Sequence, residues 1–422
     1  MKAEARVGRG ERVVSFDEAL EIVLQQASWA RTPRVERIAL EASVGRVLAV
    51  PITTDRDQPP FDRSTRDGFA VRAADVDAGT WLAVAGQVRA GTLWEGALRG
   101  DGAIEIMTGA PVPEGADAVV MVEHVERSGT VDKPAIRLAE GRRISAGENI
   151  VCRGAEARAG DEVLPAGTQM DAAAIALAAA CGAGMLEVFA RPTVSIVVTG
   201  DELVDLHDAP GPQQIRNSNS YGLGALVTQA GGTPQRLPIA RDRREELEAL
   251  ILQALTADLM LLSGGVSVGE FDLVEEVLRG LGAEFFFTGV KLQPGKPAVF
   301  GRIPERDGMR GVYFFGLPGN PVSTQVTFAC FVEPMLGAMR GAGGDGPRFV
   351  QATLADAVQG RPELTRVLPA RLVSNRSRPE VKLVVSQGSG DMAALARSNC
   401  YAVLPQEVER FQAGDVITVL LR

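Results

Sequence analysis

Residues 258–272 read DLMLLSGGVSVGEFD, and this stretch decides how the surrounding chain folds. Its apolar run, Leu259–Leu262, has the length of a buried strand. Ser263 and two consecutive glycines follow, and such glycines let a backbone turn sharply and approach a ligand closely. A predicted helix comes after Glu270 and Asp272. Its apolar face consists of Leu273, Val274, Val277, Leu278 and Leu281.

This strand, loop and helix indicate a ligand site. In a parallel α/β sheet, a loop of this kind lies at the carboxyl edge, where ligands bind. Free N–H groups at the start of the helix suit an anion. An ordinary tight turn between a strand and a helix would have a similar sequence, so that alternative stays open.

Length and charge limit the class of protein. A chain of 422 residues predicts about two to four domains. An apolar fraction of 45% is typical of a globular protein. The net charge of −9 argues against general binding to nucleic acid or to an anionic membrane, although a local basic pocket for a small anion remains compatible with it.

Cysteine and histidine usage narrows the chemistry. The four cysteines are far apart and form no CxxC pair, which indicates free thiols in a reducing compartment. With only two histidines, a Ser-His-Asp triad or a histidine-based zinc site is not expected. The N-terminus lacks the apolar segment of a secretory signal, and no run of about 18 apolar residues follows, so we expect a cytoplasmic protein.

Changes in composition divide the chain into four predicted domains. Residues 1–50 and 147–190 form a discontinuous N-terminal helical or mixed domain. Residues 51–146 form a β-rich inserted domain with short Val-rich strands. Strands and helices alternate over 191–340, which predicts a largely parallel sheet covered by helices. Residues 347–422 predict a small β-barrel or sandwich. The fold class is therefore α/β plus β, in several domains.

Local signals predict particular elements. Ser15, three residues before a glutamate, predicts the start of an amphipathic helix. Asp171 predicts the cap of an Ala-rich helix that ends near Gly182. Residues 284–292 predict one strand, and a helix is expected from the loop at 316–321 to about Met339.

Four loops at strand ends carry polar or glycine-rich sequences: TGDEL, SGGVSVGEFD, QPGKP and GLPGNP. Loops at one edge of one sheet can converge on a single crevice. Their glycines permit close approach of a phosphate, and Lys296 supplies a positive charge. Their carboxylates are hard oxygen ligands, and carboxylates that face a phosphorylated ligand usually need a bridging Mg²⁺.

Six motifs resemble the molybdopterin molybdenumtransferase family, the MoeA type that also occurs as the E domain of gephyrin. They are PPFDRSTRDGFAV (59–71), MTGAPVPEGADAVV (107–120), VVTGDEL (197–203), SGGVSVGEFD (263–272), QPGKP (293–297) and GLPGNPVS (316–323). The motifs occur in the family's order, and the resemblance covers about residues 13–420.

The resemblance implies an activity and an assembly. The family inserts molybdate into adenylylated molybdopterin with release of AMP, which forms the molybdenum cofactor, and it uses a divalent cation, expected here to be Mg²⁺. Its subunits have four domains, including a three-layer molybdopterin-binding α/β domain, and they form an elongated homodimer. The molybdopterin adenylyltransferase and molybdoenzyme maturation proteins are expected partners.

Positions that match the family's motifs imply site residues. Catalytic roles are implied for Asp67, Thr108, Glu202, Asp242, Asp272 and Lys296. Substrate binding is implied for Arg153, Glu156, Thr199, Gly200, Ser263, Gly264, Gly265, Ser267, Gly269, Pro318, Gly319, Asn320, Pro321 and Ser389. Metal ligation is implied for Asp201, Glu202, Asp242 and Asp272.

Three departures concern the anion ligands. Arg66 and Gln293 replace an aliphatic residue and a lysine that are common in the family, and only Arg153 remains of an arginine run. Molybdate is a tetrahedral dianion that needs N–H and cationic donors, which Lys296, Arg153 or Arg366, and Ser389 could supply.

Two other functions remain open from the sequence. A molybdopterin adenylyltransferase would share the glycine-rich loop but would not need the 51–146 module or the C-terminal domain. A non-enzymatic scaffold of the gephyrin type would not need the acids, yet Asp67, Glu202 and Asp272 are all present.

Overall fold

The computed structural model describes residues 12–30, 33–77, 79–264, 273–306, 310–343, 346–374 and 378–422. The chain divides into two compact units. Unit 1 contains residues 1–37, 45–49 and 187–422, and unit 2 contains residues 38–44 and 50–186.

Helix α1 (Phe16–Ser28) belongs to unit 1 and starts where the sequence predicts. The Ser15 hydroxyl accepts a hydrogen bond from the Glu18 N–H at 3.1 Å. This bond satisfies one of the free donors at the start of the helix. Phe16, Ala19 and Val23 form the buried face, and the Phe16 ring lies 5.8 Å from the Phe331 ring.

Unit 2 is built on a six-stranded sheet, which bears out the β-rich prediction. Its order is β4-β1-β3-β2-β6-β5, with antiparallel neighbours except for the parallel pair β2–β3. Hydrophobic clusters cover both faces: Phe69 and Val120 lie in one, and Ile104 and Val119 in the other. The strands are β1 (Gly68–Val71), β2 (Leu82–Val88), β3 (Gly102–Ile106), β4 (Ala118–Met121), β5 (Val125–Thr130) and β6 (Lys133–Leu138).

The rest of unit 2 consists of short strand pairs and helix α2 (Ala172–Ala180). Asp171 caps α2 through its carboxylate, which accepts the Ala174 N–H at 2.8 Å, and Gly182 follows with φ +76°. Both helix-end predictions are confirmed. The short pairs are Ile52–Thr53 with Glu162–Leu164, and Arg63–Ser64 with Ile150–Val151.

Unit 1 contains a mixed six-stranded sheet of order β10-β7-β11-β14-β13-β12. The first four strands are parallel, as predicted, and β13 and β12 add antiparallel neighbours at one edge. A two-stranded ribbon, β8 with β9, follows β7 in the chain. The strands are β7 (Thr193–Val198), β8 (Leu203–Val204), β9 (Ile215–Arg216), β10 (Thr233–Arg236), β11 (Leu259–Ser263), β12 (Glu284–Phe287), β13 (Val299–Ile303) and β14 (Val312–Leu317).

Both faces of this sheet are buried, which explains the uninterrupted apolar run of β11. Leu259 and Leu261 lie in one core cluster, and Met260 and Leu262 lie in the other. Side chains alternate across a strand, so a strand covered on both faces needs apolar residues at every position. The covering helices are α3 (Asn219–Gln229), α4 (Arg244–Ala254), α5 (Leu273–Gly280), α6 (Pro321–Thr327) and α7 (Glu333–Met339).

Two predicted elements differ in detail. The strand expected over 284–292 is divided into β12, Gly289–Val290 and Leu292–Gln293, because Gly289–Val290 pairs with Val13–Val14 instead of continuing along the sheet. The helix expected up to Met339 contains a π-helical turn, Phe328–Val332, between α6 and α7. Pro334 lacks an N–H donor, which accounts for a change of hydrogen-bond pattern just before it.

The C-terminal part of unit 1 is a closed five-stranded barrel, so the barrel alternative is confirmed. Strand β16 pairs with β17 and β18, and the circuit closes through β15 and β19. The short strand Leu292–Gln293 adds in parallel to Thr365–Arg366 of β16. Helix α8 (Met392–Arg397) lies between β17 and β18 in the chain. The barrel strands are β15 (Phe349–Leu354), β16 (Thr365–Val373), β17 (Glu380–Leu383), β18 (Cys400–Leu404) and β19 (Val416–Leu421).

No helix in the described ranges is both long and apolar enough to cross a bilayer.

Asp258 fixes the start of the central strands. Its carboxylate accepts hydrogen bonds from the Thr193 N–H at 2.7 Å and the Thr193 hydroxyl at 2.6 Å, and from the Arg310 guanidinium at 2.7 Å. Burial raises the pKa of Asp258, but the bonds from Thr193 and the charge of Arg310 outweigh it, so the pKa lies below its usual value of 3.8. The ionised carboxylate therefore stabilises the fold.

We expect Asp258→Asn to lower the free energy of unfolding by about 1–3 kcal/mol at pH 7, because the charge-assisted bonds are lost. The deficit should be present above the usual aspartate pKa and should disappear as the pH falls through the lower folded-state value. Urea unfolding from pH 7 to pH 3 measures it. The exposed Asp208→Asn is the control, and a deficit that is independent of pH would contradict the assignment.

Candidate functional site

A cavity of about 410 Å³ opens in unit 1 where β7, β11 and β14 end. Parallel strands bring their carboxyl ends to one edge, so the loops after them meet there. Because Glu202 and Asp242 line it, we call it the carboxylate cavity. Its lining is Val198, Thr199, Gly200, Glu202, Leu203, Ile215, Arg216, Asn217, Ser218, Asn219, Asp242, Ser263, Gly264, Pro297, Pro318, Gly319, Asn320 and Pro321.

Gly264 lets two of these loops approach each other closely. It has φ +94°, a conformation that residues with a side chain rarely adopt. A Cβ atom at this position would lie 2.3 Å from the carbonyl oxygen of Thr199. The contact involves backbone, which cannot move aside as the end of a side chain can. Only glycine therefore fits here.

Gly200 makes room for the Glu202 carboxylate. Its φ is +152°, and a Cβ atom here would lie 2.5 Å from Oε2 of Glu202. The carboxylate thus lies against the bare backbone of its own loop. The TG of the TGDEL motif accordingly gives the acid its position.

Asp242 is oriented by the same loop. Its Oδ1 accepts a hydrogen bond from the Thr199 hydroxyl at 2.7 Å, and its N–H donates to Asp201 Oδ1 at 3.4 Å. Glu202 and Asp242 are oxygen donors of the kind that Mg²⁺ prefers. Within the described ranges, no group of three or more His, Cys, Asp or Glu side chains is placed to hold a metal ion. These two carboxylates would need oxygens of water or of a bound ligand to complete a Mg²⁺ coordination shell.

The Asn219 side chain connects three parts of the cavity wall. Its amide Nδ2 donates to Ser263 Oγ at 2.9 Å and to the Gly319 carbonyl at 2.8 Å, and lies 3.4 Å from Thr324 Oγ1. Because a carbonyl oxygen can only accept, the nitrogen must face Gly319, which fixes the orientation of the amide. Asn219 therefore holds the loops after β11 and β14 to the first turn of α3.

A second cavity in unit 1, of about 670 Å³, carries positive charge. Lys296, Arg361 and Arg366 line it, so we call it the cationic cavity. Burial, followed by the nearby charge of Arg361, lowers the pKa of Arg366. Nε of Arg366 and Oε1 of Gln293 are buried and have no hydrogen-bond partner in the described part of the chain. Such orphaned groups favour a bound polar ligand.

The two cavities share a wall. Pro297 lines both of them. Asn320, in the carboxylate cavity, donates through Nδ2 to the hydroxyl of Ser389, in the cationic cavity, at 2.8 Å. The loops that the sequence directs to one crevice thus line two adjacent cavities, with Lys296 on the far side of Pro297 from Glu202.

In unit 2, Asp67 and Thr108 contact each other. One Asp67 carboxylate oxygen accepts the Thr108 N–H at 2.6 Å and its hydroxyl at 2.8 Å. These two bonds, the N–H bond foremost, lower the pKa of Asp67. The carboxylate is exposed and ionised at neutral pH, so it can accept hydrogen bonds from a ligand.

Arg153 and Glu156 take part in separate ion pairs of unit 2. Arg153 Nε donates to Asp57 at 2.6 Å, and Arg63 Nη2 donates to Glu156 at 2.7 Å. The Arg153 N–H also donates to Asp62 at 2.7 Å. Arg153 and Glu156 therefore each have an oppositely charged partner within unit 2. Arg153 is thus a weaker candidate for an oxyanion ligand than Arg366.

The predicted site residues fall into clear groups. The carboxylate cavity brings together Thr199, Gly200, Glu202, Asp242, Ser263, Gly264, Pro318, Gly319, Asn320 and Pro321. The cationic cavity brings together Lys296 and Ser389. Asp201 contacts the backbone of Asp242. Outside the described residues lie Gly265, Ser267, Gly269, Glu270 and Asp272.

The sequence motifs did not predict Arg216–Asn219, which lines the carboxylate cavity, or Arg361 in the cationic cavity. A usable signal was present in the run RNSNS before an apolar helix, because Asn and Ser are frequent helix caps. Asn217 acts in this way, with Oδ1 accepting the Ser220 N–H at 3.1 Å.

Comparisons with known proteins fit this architecture. Three family models match: "MoeA N-terminal region (domain I and II)" over residues 14–182, "Probable molybdopterin binding domain" over 195–338, and "MoeA C-terminal region (domain IV)" over 351–421. The fold and cavities therefore define the chain as a multidomain protein of the MoeA class.

Individual relatives point to the same class of protein. A molybdopterin molybdenumtransferase of a Nostoc species is 36% identical over 400 residues, covering 91% of this chain and 88% of the relative. One of Staphylococcus epidermidis is 32% identical over 417 residues, covering 97% and 95%. A crystal structure of a molybdopterin biosynthesis moeA protein from Pyrococcus horikoshii has a TM-score of 0.80 at 28% identity, covering 97% of this chain and 100% of that one. The chain belongs to the molybdopterin molybdenumtransferase family.

We expect Gly264→Ala to disrupt the carboxylate cavity, because its Cβ would collide with the Thr199 carbonyl and its φ would be strained. The loss of stability should be about 1–3 kcal/mol, measured by urea unfolding, with loss of turnover. Gly319→Ala is a matched control for stability, since a Cβ there would lie 3.7 Å from Gly264, an ordinary contact. Equal stability of the two variants would contradict this account.

Proposed function

We propose that the chain is a molybdenumtransferase that inserts molybdate into adenylylated molybdopterin and releases AMP. One observation carries the proposal: a cavity with two carboxylates adjoins a cavity with three cations, and Pro297 is common to both. The three cations suit an oxyanion such as molybdate, and the two carboxylates could hold a Mg²⁺ beside a phosphorylated substrate. Molybdenum insertion agrees with the family to which the chain belongs.

The carboxylate cavity is the proposed site for the nucleotide-linked pterin. Its glycines bring backbone close to the ligand, and Asn219, Asn320 and Ser263 offer polar contacts. Glu202 and Asp242 would hold a Mg²⁺ that offsets the charge of the pyrophosphate link when this bond is broken. The chain's own residues orient that link and keep the two carboxylates in place through Gly200 and Thr199.

The cationic cavity is the proposed site for molybdate. Lys296, Arg361 and Arg366 supply charge, and the Ser389 hydroxyl supplies a hydrogen-bonding group. The substrate's own dithiolene sulfurs replace oxygens on molybdenum, so a cysteine nucleophile is not required. Cys330 and Cys400 are buried, and burial raises the pKa of the Cys400 thiol to about 11, which keeps it protonated.

Asp67 and Thr108 of unit 2 are proposed to complete the site in a homodimer, as the resemblance implies. The ionised Asp67 carboxylate is exposed, and the two hydrogen bonds from Thr108 hold it in position. We also propose the domain limits 1–50 with 147–190, 51–146, 191–340 and 347–422. A cytoplasmic location, with the adenylyltransferase and maturation proteins as partners, belongs to the same proposal.

Neither alternative function is favoured. Besides the molybdopterin-binding domain, the chain matches the MoeA N-terminal and C-terminal regions, which an adenylyltransferase built on the α/β domain alone does not need. A scaffold would not need Asp242 fixed by Thr199, nor a glycine that makes room for Glu202.

The purified chain should release AMP from adenylylated molybdopterin only when molybdate and Mg²⁺ are both supplied. Glu202→Ala and Asp67→Ala should each lower turnover by about 100-fold or more while the far-UV circular dichroism is unchanged. AMP measured by chromatography is the readout, and Asp208→Asn is the control. Wild-type turnover in both variants would refute the site, and pyrophosphate release from ATP and molybdopterin would favour the adenylyltransferase.

Lys296→Gln should raise the KM for molybdate by about 10-fold or more and leave the KM for adenylylated molybdopterin close to wild type, because the lysine lies in the cationic cavity. Steady-state kinetics with each substrate varied in turn measure both constants. Lys382→Gln, a change to an exposed lysine that pairs with Asp356, is the control. The opposite pattern would place molybdate outside this cavity.

A further inference from the structure

Arg216 is the only cationic residue that lines the carboxylate cavity within the described part of the chain. The same lining contains the two acids Glu202 and Asp242. Among the described residues, an anionic ligand in this cavity therefore meets one positive side chain.

The backbone connects the segments that carry Arg216 and Glu202. Arg216 lies in β9, paired with Val204 of β8, and the neighbouring Ile215 N–H donates to the Glu202 carbonyl at 2.9 Å. Glu202 and Arg216 thus belong to one short ribbon, which lies between β7 and α3 in the chain. A ligand that approaches one of these side chains is within the same cavity as the other.

The Arg216 guanidinium is anchored at one end and free at the other. Its Nε donates to the Leu206 carbonyl at 3.2 Å. Among the described residues, Arg216 has no carboxylate partner in an ion pair, and its side chain is exposed. The two Nη groups therefore remain as donors, and paired N–H donors match the oxygens of a phosphate.

We propose that Arg216 binds a phosphate of the nucleotide-bearing substrate and makes the carboxylate cavity selective for phosphorylated ligands. This inference rests on the proposed function, because it takes the nucleotide-linked pterin as the occupant of the cavity. Arg216 offsets the charge of Glu202 and Asp242, which would otherwise repel an anionic phosphate.

A purely structural role would differ in its consequences. If Arg216 only held the 205–214 segment through Leu206, its loss would affect every ligand of the cavity alike. A phosphate ligand acts on phosphorylated compounds alone. AMP and adenosine differ by this one group, so their affinities separate the two roles.

The experiment measures binding of AMP and of adenosine by isothermal titration calorimetry, with Mg²⁺ present, to wild type, Arg216→Gln, Arg216→Lys and Arg236→Gln. Arg236 is the matched control, because it stacks on the Tyr221 ring at 4.0 Å and is not part of the cavity lining. Turnover, as AMP release from adenylylated molybdopterin, is measured for the same four proteins.

Arg216→Gln should weaken AMP binding by about 10- to 100-fold and leave adenosine binding unchanged, since a charge-assisted pair is lost. Arg216→Lys should restore part of the AMP affinity, and Arg236→Gln should bind AMP like wild type. In Arg216→Gln, the KM for adenylylated molybdopterin should rise by a larger factor than kcat falls. A wild-type AMP affinity in Arg216→Gln, or an equal loss of AMP and adenosine affinity, would overturn the inference. The proposed function would still stand if the wild-type chain released AMP from adenylylated molybdopterin. A wild-type chain that released no AMP would overturn the proposed function and this inference with it.

Discussion

The close contact between the Gly264 backbone and the Thr199 carbonyl oxygen is the constraint on which the carboxylate cavity depends. It sets how near the ends of β7 and β11 can lie, because a single added carbon at position 264 would overlap the carbonyl. Asn219 then fixes the third loop by donating to Ser263 Oγ and the Gly319 carbonyl. Gly264 permits the close approach of the ends of β7 and β11, and the Asn219 amide holds the loop after β14 beside them.

Separation of charge follows from this frame. Acids gather where the parallel strands end, and cations gather where the Leu292–Gln293 segment meets the barrel strand β16. Pro297, with no N–H to donate and a restricted φ, stands between the two groups. Because the acids and the cations line different cavities, these side chains do not neutralise one another.

Much of this arrangement could be predicted from the sequence, because its parts have local signatures. The apolar run of β11, the glycines after it and the Ser15 and Asp171 caps are each specified by residues that lie next to one another in the chain. The choice between a closed barrel and a sandwich, and the division into two cavities, could not be predicted in this way. They depend on which strand pairs with which, and the pairing of Leu292–Gln293 with Thr365–Arg366 joins residues more than seventy positions apart. Arg361 was missed for the same reason, since nothing beside it in the sequence indicates that it lines a cavity.

The attachment of Leu292–Gln293 to β16 also bears on protein engineering by exchange of modules between relatives. A chimera that received the barrel of a relative from residue 347 onward would combine that relative's counterparts of Arg361 and Arg366 with this chain's own residues 293–297. The barrel should therefore be exchanged together with residues 292–297. The helices between these two segments can be kept from the recipient chain. Recombination at residue 347 alone would build the cationic cavity from segments of two different proteins.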